Sequence, residues 1–98
     1  MKEFERRAYQ AAVIKATVVK YFLEETKPKL KDKRPEEREN ATKLLKRVVE
    51  QSMADFTIDE LVPEKKLLKT AFEDHINELI KKTRKKVEER LKSLNETK

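Results

Sequence analysis

The chain contains no cysteine, no glycine and no tryptophan, and each absence removes a class of structure or chemistry. Without cysteine there are no disulfides, no thiolate nucleophiles and no cysteine-ligated zinc, a usage that fits an intracellular setting, cytoplasmic or nucleoid-associated. Without glycine there is no phosphate-cradling loop of the Walker or dinucleotide type. The tight hairpin turns of β proteins also lose their usual residue, and Asn40, Asn77 and Asn95 all fall in or at the ends of helical patterns. Aromatic residues are scarce at 6%, and none lies between positions 73 and 98 to stack on a base. Long apolar runs are missing too. The stretch from Ala11 to Leu23 is broken by Lys15 and Lys20, and the N-terminal residues mix acids with bases, so neither a membrane span nor a signal peptide is expected.

What is present is charge. Charged residues make up 45% of the 98 positions and hydrophobic ones 37%, the composition of long helices and coiled coils. The length predicts one domain over 1–98, enough for one modest core and too little to enclose a deep active-site cavity. The expected fold is all-α, an up-down-up bundle of three main helices.

Apolar residues Phe4, Ala8, Ala11, Ile14, Val18 and Phe22 recur at spacings of three or four and predict a first helix over about 3–26. Further apolar residues broaden that stripe until the helix is apolar on most sides, which places it centrally or at an oligomer interface. The segment 27–34 has no apolar period and contains Pro28, so it is a connection. Pro35 followed by Glu36 and Glu37 marks a helix start, with proline at the first position and acids over the positive dipole end. That second helix is predicted over about 35–55, burying Ala41, Leu44, Leu45, Val48, Val49 and Ser52 or Met53. Thr57 and Glu60 have the spacing of a capping box, predicting a helical turn near 58–62. Pro63 then opens the longest helix, over about 63–95, whose apolar positions run from Leu67 to Leu94 without a glycine or proline.

Alternating directions bring the 27–34 connection and the C-terminal half of the last helix to one end of the bundle. The connection carries Lys27, Lys29, Lys31, Lys33 and Arg34 against Asp32 alone, and Lys81, Lys82, Arg84, Lys85 and Lys86 stand together within the basic segment 81–95. The net charge is +6. A basic pole of this kind favours phosphate contacts that release counterions, although bases near a helix C-terminus also suit the negative end of its dipole. The last helix is long enough to overhang, so Val87, Leu91 and Leu94, with Tyr21 at the end of the first helix, are expected interface residues meeting another chain or a symmetry mate.

The residues offer little for catalysis. His75 with Glu78 supplies too few ligands for a dedicated metal site and reads as a half-buried histidine. The acidic pairs are sequence neighbours that diverge around a helix, and neither serine has a histidine nearby. No enzyme activity, cofactor, metal or small-molecule substrate is expected. The expected function is a non-enzymatic accessory or architectural role, binding DNA or RNA backbone through the basic pole. The alternative is a helical protein-interaction or assembly module, as a homodimer or with another protein.

Overall fold

The computed structural model describes residues 2–96, so Met1, Thr97 and Lys98 of the expected domain lie outside the described residues. The chain forms an all-α bundle, with α1 over Glu3–Thr26, α2 over Pro35–Met53, a single turn α3 over Ile58–Leu61 and α4 over Lys69–Glu96. No strand occurs among the described residues.

Local chemistry sets most of the boundaries. Glu3 and Glu5 lie in the first turn of α1, where they favour its positive end. Pro28, lacking an amide proton, sits where α1 gives way to a 3-10 turn over Lys27–Leu30. Arg34 is extended ahead of Pro35, the first residue of α2, as the proline ring demands. The capping box before α3 is formed in both directions, the Glu60 amide donating to the Thr57 hydroxyl at 3.2 Å and the Thr57 amide to the Glu60 carboxylate at 3.3 Å.

Two boundaries differ from the sequence reading. Helix α2 ends at Met53 rather than near 55, and α4 starts at Lys69 rather than Pro63. The second difference has a tertiary cause. The Arg7 guanidinium donates to the Val62 carbonyl at 3.1 Å, and His75 Nε2 lies 2.8 Å from the Leu61 carbonyl. The carbonyl only accepts, so the His75 proton sits on Nε2. Val62 is buried and extended, and it lines one groove with Leu67, Tyr9, Val13 and Phe72. The 62–68 segment thus gives up a helical turn to lie against α1.

Helices α1 and α2 form an antiparallel hairpin, Leu23 and Lys27 lying beside Thr42 and Lys43 while Ala16 lies beside Met53. Helix α4 covers one side of it. Its core contributions are Leu79, Ile80 and Val87, packed with Ile14, Val18 and Phe22 of α1 and with Val48, Val49 and Met53 of α2. Each such side chain withdrawn from water contributes about 1.5–3 kcal/mol before entropic costs. Helix α4 lies obliquely over the pair. Arg84 reaches Glu25 in the last turn of α1, while Lys86, about 3 Å further along the axis, reaches Asp55 just beyond the end of α2. The molecule's longest dimension is 44 Å, close to the roughly 42 Å expected of a 28-residue helix.

Several expected core residues lie outside. Phe4 is 72% exposed and Leu44 50%, because α4 covers neither the first turn of α1 nor the outer side of α2, and Leu68, 84% exposed, falls in the non-helical segment before α4. Two polar side chains are fully buried instead. Ser52 Oγ donates to the Val48 carbonyl at 2.7 Å, whereas Thr83 Oγ1 has no hydrogen-bond partner among the described residues.

Candidate nucleic-acid interface

Only part of the expected basic end is assembled: Arg84 reaches Glu25 in the last turn of α1, next to the connection, whereas the oblique path of α4 carries Lys86 and Arg90 to Asp55 and Gln51 at the other end of α2. Arg84 donates two hydrogen bonds to the Glu25 carboxylate, each 2.7 Å long, a bidentate geometry open to arginine and closed to lysine. The Arg84 guanidinium also lies 5.2 Å from the centre of the Phe22 ring, a cation–π contact. These hydrogen bonds hold the Glu25 carboxyl below its ordinary value of 4.5, against the opposing effect of desolvation, and Tyr21 and the Lys29 charge pull in the same direction. The Arg84 guanidinium is pushed upward in turn, principally by Glu25. Lys29 of the connection and Arg84 of α4 therefore both act on one carboxylate.

The ten expected bases divide into two groups. Lys27, Lys29, Lys31, Lys33 and Arg34 on the connection are exposed, as are Lys81, Lys82 and Lys85 on α4. None of these eight takes an ion pair among the described residues. Arg84 and Lys86 are half-buried and already engaged. Lys86 sits 3.7 Å from Asp55 and 4.9 Å from the centre of the Phe56 ring, so it closes the far end of α2 and faces away from the basic pole.

Among the expected interface residues, Tyr21 is 44% exposed and meets the Phe22 ring edge to face at 5.8 Å. It lines a shallow depression with Lys81 and Arg84, and also with Asp74, Asn77 and Glu78. Val87 does not project from an overhang, being 5% exposed and part of the core. Arg90 still reaches the Gln51 carbonyl at 3.3 Å, so α4 stays against the body through Arg90. Leu91 and Leu94 beyond it are exposed.

Sequence reasoning missed Glu25 and Asp55, the carboxylates that take Arg84 and Lys86 out of the free set. Glu25 and Arg84 are 59 residues apart, and no local pattern announces such a pair. It also missed Arg38, an exposed base one turn into α2 that shares a depression with Lys27 and Leu30. No helix among the described residues is long and apolar enough to cross a membrane. Their His, Asp and Glu side chains gather in no group of three suited to a metal ion. No protein-family model, curated protein or solved structure matches the chain, so the chemistry of these side chains carries the functional reading.

Proposed function

We propose that the chain is a non-enzymatic nucleic-acid-binding protein that holds phosphate backbone against the end of the bundle formed by the 27–34 connection and the 81–85 stretch of α4. One observation carries this reading. Eight exposed bases drawn from two distant segments are left without ion pairs among the described residues, and Arg84 already neutralises Glu25, the carboxylate on which both segments act. Unpaired lysines on a folded surface repel one another, and a polyanion relieves that repulsion while releasing its own counterions. The contacts available are to phosphate, which position a protein on a nucleic acid without reading sequence. The role that follows is accessory or architectural.

The direct test replaces Lys81, Lys82 and Lys85 together by glutamate. All three are exposed, so helicity should be retained. Affinity for double- and single-stranded polynucleotide at low salt should fall by at least about 100-fold, since three phosphate contacts become three repulsions. Unchanged affinity in this variant would sink the proposal. Lys86 is left in place because it packs on Phe56, and its loss would confuse binding with folding.

A further inference from the structure

Helix α4 leaves the opposite side of the α1–α2 hairpin uncovered. A groove of about 650 Å³ runs along it, floored by Ala12, Ala16, Val19, Leu23 and Met53 and lined by no residue of α4. Val19 and Met53 are buried there, while Ala12 and Ala16 are exposed. In a bundle, this is the place of one more layer of helices.

The charges around the groove indicate what fits. Lys20 and Glu24 stand one turn apart on α1, and Lys46 and Glu50 one turn apart on α2. The antiparallel register that sets Ala16 beside Met53 and Lys27 beside Lys43 makes Lys20 level with Glu50 and Glu24 level with Lys46. Signs therefore alternate around the mouth of the groove. None of the four charges forms an ion pair among the described residues. A two-fold axis lying in the plane of the mouth carries each of these four charges onto a position of opposite sign, whether the axis runs along the helices or across them. Lys15, half-buried on the α1 side, adds one further positive charge, so the groove presents both signs and suits a partner that also carries both, rather than a segment of a single sign.

We infer that this groove is the docking face for a second copy of the chain. The two hairpins stack face to face around an apolar centre, Lys20, Glu24, Lys46 and Glu50 each meet an opposite charge of the other copy, and both α4 helices remain outside. Such a contact is isologous, as two-fold dimers require. A stable dimer buries about 800 Å² on each partner, a tenth of this chain's 7947 Å² surface. The inference is independent of the nucleic-acid reading, because it uses the other side of the hairpin.

Sedimentation velocity on the full chain, taken up to about 1 mM, should find a species of twice the 11.7 kDa chain mass. Ala16→Glu puts a charged, bulkier side chain on the groove floor and diverts Lys20, one turn on, from its cross-copy contact, and should weaken dimerisation by at least about 100-fold, with the far-ultraviolet circular dichroism unchanged because Ala16 is exposed. Lys46→Glu should weaken it about 10-fold through like-charge contact. Adding Glu24→Lys to that variant restores the dimer if the axis runs along the helices, and adding Glu50→Lys restores it if the axis runs across them. The inference is overturned by a chain that stays monomeric at every concentration, by a dimer indifferent to Ala16→Glu, or by rescue from neither second substitution. The rim variants keep the test open should Ala16→Glu disturb the fold, since their side chains lie at the surface.

Discussion

Glu25 sets how many cations the basic pole offers. While its carboxylate is ionised, Arg84 is tied to it and to Phe22. Glu25→Gln should therefore release a guanidinium toward solvent and raise polynucleotide affinity at low salt, by about twofold to tenfold for one added phosphate contact. A filter-binding or fluorescence titration measures this, and weaker binding in the variant would show that Arg84 serves only as a tether. The same pair governs acid stability. Because folding holds the Glu25 carboxyl below its ordinary value of 4.5, its stabilising contribution is complete above that value and is lost as pH falls through the lower folded one. Glu25→Gln should accordingly flatten the decline in the urea midpoint below about pH 4.5, leaving the neutral-side profile unchanged. Thr83 offers a third test at this scale. A buried hydroxyl without a partner costs about 1–3 kcal/mol, so Thr83→Val, nearly the same in shape, should raise the unfolding free energy by about 1 kcal/mol. A drop in stability would mean that the hydroxyl has a bound partner.

Helix α4 changes character along its length, and the change is partly legible in sequence. Its apolar spacing and its unbroken run without glycine or proline predict a long helix, and the capping residues predict the turn before it. The start is legible only in three dimensions. Pro63 reads as a first helical residue, yet the Val62 carbonyl is taken by Arg7 and the Leu61 carbonyl by His75, side chains far from it in sequence. The same limit applies to Val87, Leu91 and Leu94. Their spacing is continuous, but the oblique path of α4 buries the first against the hairpin and leaves the other two outside. Val87→Ala should cost about 2 kcal/mol of stability, and Leu91→Ala less than about 0.5 kcal/mol. Chemical denaturation of the two variants decides whether α4 packs through Val87 or overhangs before it, since comparable losses would contradict this packing. The exposed bases of the connection were foreseeable because five lie within its eight residues; that Lys86 and Arg90 lead away from that end was not, because it follows from the oblique path of α4. Which bases remain free was not, because that depends on Glu25 and Asp55 arriving from other elements.

At the scale of the whole molecule, the hairpin carries two different surfaces. Its connecting end presents an excess of unpaired bases over Asp32, Glu36 and Glu37, and its uncovered side presents an apolar groove rimmed by alternating signs. The first is suited to a polyanion and the second to a copy of itself. A dimer whose axis runs along the helices would place both basic poles at one end and double the phosphates a single nucleic acid could reach. One whose axis runs across them would place the poles at opposite ends, able to bridge two segments of nucleic acid. The claim on which the functional account rests is nevertheless the pole itself, and its most direct test is the salt dependence of polynucleotide binding. Each phosphate contact contributes about −0.9 to the slope of log K against log salt on double-stranded DNA, so eight free bases predict a slope steeper than about −4 per chain. Replacing Lys81, Lys82 and Lys85 by glutamate should make it shallower by about 2–3. A slope near zero, or one unchanged by those three substitutions, would contradict the account.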